Sequence, residues 1–360
     1  MESVKIASDE ILSETFNNNG FVVLKKALSI KNDIDPFLKG LKKYVLQLES
    51  YYSQQTDDSA STFKTDRTIA DIFASALAIN SDEVIRTFDP SLYVLDADFK
   101  WNRNAPSPFT ESAYNMINNP RITNIVSRIL GKEVSASPLF HTFIKLTQSQ
   151  LSTAGIPHKE TPSYSSYASF LRNFLSGQTP IHSDAVTAMP DSRNFESINV
   201  WIPMTDTSIE NNCLVVIPGS HKTKKTTGSA ASNSAAVPLE VNTGDLVLLH
   251  RDIYHGSTSN TSKNKHRISF NIRYHISGTP SGRSFLPEFV VKSDNQQLLD
   301  INSWAAWANA WQVVLDYYSI HNHTISLSQI KNMSVDDASK ITNYFRNNIR
   351  DITEWDKLKY

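Results

Sequence analysis

The sequence predicts a mainly β protein with helical layers: a double-stranded β-helix, the jelly roll of cupin-like proteins, flanked by N- and C-terminal α-helices. Three observations predict it. Between about 137 and 277, short runs rich in Val, Ile, Phe and Thr recur between Pro, Gly, Asn and Ser, the texture of many short strands. On either side, apolar residues recur instead at helical spacing. The glycines, 11 of 360 and so about half the usual share, gather where a barrel needs turns, with seven of them (Gly177, Gly219, Gly228, Gly244, Gly256, Gly278 and Gly282) between 177 and 282. One domain over 1–360 is expected, with a helical lead-in (1–135), a jelly-roll core (about 136–277) and a helical extension (278–360).

In chain order, 8–18 opens with Ser8, Asp9 and Glu10, suited to a cap and first turn, and spaces Ile11, Leu12 and Phe16 as a helix. Asn19-Gly20 breaks it, and Phe21 to Leu24 reads as a short buried strand. A helical pattern follows from about Asp33 to Tyr51, and another from Arg121 to Leu130 with Gly131 as its stop. Strands are expected at 139–146, 167–175, 180–188, 197–203, 213–217, 246–250 and 267–275, with shorter ones at 237–241 and 253–257. The polar, aperiodic stretches 147–166 and 222–236 read as loops. The last 75 residues return to helix, and Trp304, Trp307 and Trp311 form a stripe that packs on the barrel.

Composition narrows the function. No stretch approaches the roughly 18 uncharged apolar residues of a membrane span, and MESVKIASDE lacks the basic and apolar regions of a leader, so a cytoplasmic protein without membrane contact is expected. Lys and Arg number 35 against 36 Asp and Glu, with no basic stripe, which argues against a nucleic-acid partner. The lone Cys213 allows neither an intramolecular disulfide nor a cysteine zinc site, so a metal would need His, Asp or Glu.

Such residues occur in Pro180-Ile181-His182-Ser183-Asp184. On a strand, i and i+2 share a face about 6.5 Å apart, so His182 and Asp184 can reach one ion. About 70 residues on, Gly244-Asp245 leads into an apolar strand ending in His250 and His255. Arg267 opens the next strand twelve residues past His255. Two histidines, one carboxylate and a cation able to bind an acid are what a non-haem Fe(II) oxygenase requires, since three protein ligands leave positions open for a co-substrate and O2.

Several pieces then resemble, in order and spacing, the phytanoyl-CoA dioxygenase family of Fe(II)/2-oxoglutarate oxygenases. They are HSD at 182–184, NVWIPMTDT at 199–207, NNCLVVIPGSH at 211–221, GDLVLLHRDIYHGS at 244–257 and HRISFNIRYH at 266–275, preceded by NNNGFVVLKKALS and NPRITNIVSRILGK. The resemblance implies that His182, Asp184 and His255 ligate Fe(II), and that Arg267 clamps the distal carboxylate of 2-oxoglutarate through two parallel hydrogen bonds. It makes Ser257 and Ser269 hydroxyl partners nearby, and Trp201 a wall of the pocket. His255 is favoured over His250, and Arg267 over Arg273, which would lie at the far end of the strand. His158-Lys159-Glu160, His221 and the His321–His323 pair are read as structural or surface residues.

The implied reaction turns 2-oxoglutarate and O2 into succinate and CO2 while hydroxylating an unactivated C–H bond of a small molecule. Oxidative cyclisation or desaturation at the same site is the alternative, and a non-catalytic jelly-roll binding module the alternative of another class. Halogenating relatives carry a small residue in place of the carboxylate, so Asp184 argues against halogenation. Arg172, Arg193, Lys145, Tyr164 and Tyr167 are candidate substrate contacts, and an arginine among them would favour a carboxylate-bearing substrate. The polar loops suggest specialised or amino-acid-derived metabolism.

Overall fold

The computed structural model describes residues 9–56, 66–90, 100–156, 173–186, 188–223, 236–283, 285–300, 302–321 and 332–350. Helix α1 (Asp9–Asn19) stops at Gly20, whose φ of +78° turns the chain into β1 (Phe21–Leu24). A π-helical turn (Ile30–Ile34) leads into α2 (Asp35–Ser53). α3 (Ile69–Phe88) opens on a capping box in which Thr68 and Asp71 satisfy each other's amides, and it kinks at Asn80, whose side chain accepts from the Glu83 amide. α4 (Glu111–Ile117) and α5 (Pro120–Leu130) follow, the latter capped by Asn119 with Pro120 at its first position.

The strands are β2 (Val134–Lys145), β3 (Ser197–Pro203), β4 (Leu214–Val216), β5 (Val237–Leu239), β6 (Leu246–His250), β7 (His255–Ser257), β8 (Arg267–Ile276) and β9 (Phe289–Lys292). Between β2 and β3 lies the short helix α6 (Gln148–Thr153); after β9 come α7 (Gln296–Asp300), α8 (Trp304–His321) and α9 (Val335–Arg350). Antiparallel pairing gives a large sheet in the order β1-β6-β3-β8-β2-β9 and a small one in the order β5-β4-β7.

Strand alternation decides what each face meets. On β8, Ile268, Phe270, Ile272 and Tyr274 are buried against the helical layer, together with Ile198, Val200 and Ile202 of β3 and Leu246 and Leu248 of β6. The opposite phase faces the small sheet: Phe21, Trp201, Val247 and Leu249 form a second apolar cluster with Leu214, Val216 and Leu239. On that inward face β8 is polar, carrying Arg267, Ser269, Asn271, Arg273 and His275. Trp307 and Trp311 are buried under the large sheet, Trp311 stacked on Phe109 with centroids 4.5 Å apart, whereas Trp304 is 41% exposed.

Several expectations need correction. The stretch 180–188 is not a strand: only His182 pairs, as a single bridge to His255, and Asp184–Val186 is a 3-10 turn. The Ala185 amide bonds the Arg251 carbonyl at 3.1 Å and draws the chain out of extension. Of the strand expected at 167–175, 173–175 are helical and the rest lie outside the described residues; a short apolar run does not distinguish the two by period. Loop 147–166 begins with α6, whose capping box of Thr147 and Gln150 is written in polar residues that resemble loop composition. The lead-in and the extension each give a strand, β1 and β9, to the large sheet. α3 is buried on several sides and presents no single apolar stripe, so periodicity does not reveal it. Tyr164, Tyr167, Arg172, His158–Glu160, His323 and most of 222–236 lie outside the described residues.

Candidate metal centre and co-substrate pocket

Pro180 and the glycine of His255-Gly256-Ser257 let two backbones approach closely. A Cβ on Gly256 would lie 2.5 Å from the Thr179 carbonyl oxygen. Across this contact the His182 amide donates to the His255 carbonyl at 2.9 Å, and the His255 amide to the His182 carbonyl at 2.8 Å. The two imidazoles thereby stand with centroids 4.5 Å apart. Each Nδ1 meets a carbonyl two residues back, Pro180 at 2.8 Å and Ile253 at 3.1 Å. A carbonyl only accepts, so Nδ1 carries the proton and Nε2 presents its lone pair.

The 3-10 turn then brings Asp184 beside them. The potential ligand atoms of His182, Asp184 and His255 all lie within 4.8 Å of one another. Asn199 Nδ2 donates to Asp184 Oδ2 at 2.8 Å, and Arg273 Nη2 to Oδ1 at 2.6 Å. Burial alone would raise the Asp184 carboxyl; the guanidinium of Arg273, with His255 and His182, outweighs it and holds the group well below the usual carboxylate range. Burial pushes the His255 imidazole down to about 4, so it is neutral at pH 7. Two imidazoles and one carboxylate match the donor set of a non-haem iron site, in which a divalent ion retains open positions.

A second feature lies toward the start of β8. Arg267 and Lys145 are direct cross-strand partners, and both are buried. Arg267 Nη1 donates to the Asn212 carbonyl at 2.8 Å, and its guanidinium lies 5.5 Å from the Trp201 ring. Lys145 donates to the carbonyls of Asn173 and Gly177. Burial lowers Arg267 to about 9; burial and the Arg267 charge together lower Lys145 well below its usual value. Among the described residues no carboxylate pairs with either. Nε of Arg267, Oγ of Ser269 and Oδ1 of Asn271, all on the inward face of β8, are buried without a hydrogen-bond partner among those residues. Buried polar atoms left unpaired are costly, so the donors among them, Arg267 Nε and Ser269 Oγ, suit a polar ligand that accepts hydrogen bonds.

The remaining expected residues fall as follows. Ser257 Oγ is buried and accepts from the Thr179 amide at 3.0 Å, bracing the His182 segment. Trp201 covers Arg267 from β3. Lys145 belongs with Arg267. Arg193 is exposed after the turn Pro190–Ser192. His250 packs between Phe16 and His221 and is not among the clustered ligand residues. Arg273 lies six residues beyond Arg267 on β8, and there it touches Asp184. Sequence reasoning missed this pair and Asn199, although a signal existed, since Arg267 and Arg273 share a face at i and i+6 and Asn199 shares one with Trp201.

Comparison with known proteins agrees with this arrangement. Residues 16–268 match the family model described as phytanoyl-CoA dioxygenase (PhyH). A phytanoyl-CoA dioxygenase domain-containing protein 1 homolog of Caenorhabditis elegans is 24% identical over 287 residues, 72% of this chain and 89% of that protein. The phytanoyl-CoA dioxygenase domain-containing protein 1 of Rattus norvegicus is 30% identical over 111 residues, covering 26% of this chain and 38% of its own. In fold, the chain resembles the apo structure of the non-heme monooxygenase ThoJ, with a TM-score of 0.50 at 17% identity over 94% of this chain and 99% of that one. Because the family match spans more than half of the sequence, from within α1 to the first residues of β8, this chain belongs to the phytanoyl-CoA dioxygenase family of non-haem iron, 2-oxoglutarate-dependent oxygenases.

Proposed function

We propose that this enzyme hydroxylates an unactivated C–H bond of a small molecule, holding Fe(II) through His182, Asp184 and His255 and 2-oxoglutarate through Arg267. The observation that carries the reading is a His/Asp/His cluster held through Arg273 to the inward face of β8, with the buried Arg267–Lys145 pair at the start of that strand and no carboxylate beside that pair among the described residues. Bound iron would supply O2 activation coupled to decarboxylation of 2-oxoglutarate. The chain's own residues do the rest. His182 and His255 offer Nε2 atoms on rings fixed by backbone carbonyls, and Asp184 contributes the negative charge. Arg267, with one nitrogen tied to Asn212, retains donors for the distal carboxylate, and Lys145 adds a second amine donor beside it. Ser269 offers a hydroxyl, while Trp201, Val247 and Leu249 supply an apolar wall that excludes water.

One catalytic domain over 1–360 is supported by β1 and β9, which bring the lead-in and the extension into the large sheet. Among the described residues no helix is long and apolar enough to cross a membrane. Cys213, buried and unpaired, suits the reducing cytoplasm. We favour a carboxylate-bearing substrate, drawn from specialised or amino-acid-derived metabolism, because Arg273, which holds Asp184, lies within electrostatic reach of Arg251 and of Arg283. Incubating the iron-loaded protein with 2-oxoglutarate and O2 tests the reading: succinate should form, slowly alone and faster with an acidic substrate drawn from a panel. No succinate and no ferrous 2-oxoglutarate absorption band overturns the enzyme assignment; acceleration only by neutral compounds overturns the acidic class.

A further inference from the structure

Asp184 is gripped at both oxygens. Arg273 Nη2 holds Oδ1 at 2.6 Å from β8, and Asn199 Nδ2 holds Oδ2 at 2.8 Å from β3; these two residues are themselves cross-strand partners. Oδ1 is also the oxygen 4.0 Å from His182 Nε2. Asn199 is buried and Arg273 largely so, and the two strands that carry them are paired residue for residue from Ser197 to Pro203. The donors are therefore fixed relative to each other by the sheet.

A carboxylate has about four lone-pair sites. With a donor from a rigid strand on each oxygen, the carboxylate can rotate only by giving up one of these bonds. We propose that Arg273 and Asn199 are positioning residues that fix the orientation of the Asp184 carboxylate toward the ion, and through it the room left beside the ion for 2-oxoglutarate. The inference rests on the iron-site reading above and assigns a role to residues outside the ligand set. Arg273 also supplies charge that keeps the ligand ionised, and Asn199 supplies direction without charge; the two variants thus probe the same restraint by different means.

The experiment is anaerobic titration of the iron-loaded protein with 2-oxoglutarate, reading the visible charge-transfer band, the apparent Kd and the iron retained after dialysis. Absence of the band in the unmodified protein would defeat the iron-site reading itself, independently of this inference. If the band is present, Arg273→Gln and Asn199→Ala should keep stoichiometric iron yet bind 2-oxoglutarate at least tenfold more weakly, a loss of about 1.4 kcal/mol or more, with a diminished or shifted band. Arg273→Lys and Asn199→Ser, which retain a donor, should recover most of the band. Unchanged Kd and band in Arg273→Gln or Asn199→Ala overturns the proposal, as does loss of iron with the fold intact by circular dichroism. If Arg273→Gln does not fold, the Asn199 pair decides by the same criteria.

Discussion

His255 shows how one residue's surroundings set both chemistry and stability. Its imidazole is held at about 4 by burial, against about 6.5 in an unfolded chain. As pH falls, the unfolded state takes the proton first, so the contribution is complete above about pH 6.5 and is lost as pH drops toward 4, with a slope up to about 1.4 kcal/mol per pH unit. Unfolding of the metal-free protein in denaturant should therefore show on the order of 2 kcal/mol less stability at pH 5 than at pH 7. His250 and His266 are also pushed down by burial and act in the same direction, so the diagnostic is the smaller pH dependence of His255→Gln. An equal dependence in both proteins would remove the burial argument. At the other end of the pocket, Arg267→Ala should raise the 2-oxoglutarate requirement at least tenfold, corresponding to about 1.5 to 3 kcal/mol of charged hydrogen bonding. Lys145→Ala should raise it too; an unchanged requirement would leave Arg267 alone as the clamp. Asp184→Ala should abolish iron-dependent turnover in the succinate assay. These residue types could be picked out from the sequence, since few side chains bind iron or a carboxylate. Their pairings could not: Lys145 and Arg273 stand out as residues, but only the strand register sets Lys145 against Arg267, and only the folded turn brings Asp184 to Arg273.

β8 carries two functions on two faces, and substitutions on them should separate. Phe270 is fully buried between Phe37 and Phe140, with ring centroids 5.0 and 5.8 Å away. Phe270→Ala should cost about 3 to 5 kcal/mol in a denaturant melt while leaving 2-oxoglutarate affinity in the surviving folded protein unchanged. A matching loss of affinity would mean that the faces are not independent. On β7 the constraint is steric: Gly256→Ala places a Cβ against the Thr179 carbonyl, between the two histidine segments. It should weaken metal retention, because the 182–255 bridge must open to admit the methyl group. The strand around Arg267 was legible because its alternation is clean, apolar on one phase and polar on the other. The His182–Asp184 segment was not, because the hydrogen bond from the Ala185 amide to the Arg251 carbonyl and a bridge to His255 override its extended texture.

Across the whole molecule, the centre joins parts that are far apart in sequence. Asp184 is anchored to β3 and β8 of the large sheet, while His255 lies on β7 of the small one. A metal ion bound by all three would tie the sheets together, so ferrous iron with 2-oxoglutarate should stabilise the fold against denaturant, by about 2.7 kcal/mol at a hundredfold excess over Kd. Asp184→Ala should abolish that gain; its persistence would place the metal elsewhere. The amino-acid sequence by itself determined the jelly-roll class and the flanking helices that match α1, α2 and α5, and it singled out His182, Asp184, His255 and Arg267 as candidates, because period, turn residues and ligand chemistry are local properties. Only the tertiary structure decided that β1 and β9 complete the large sheet, that Arg273 and Asn199 hold the ligand carboxylate, and that Lys145 stands beside Arg267. Those facts depend on strand register and on which side chains a low-dielectric interior forces into contact, and neither is encoded in the spacing of residues along one segment.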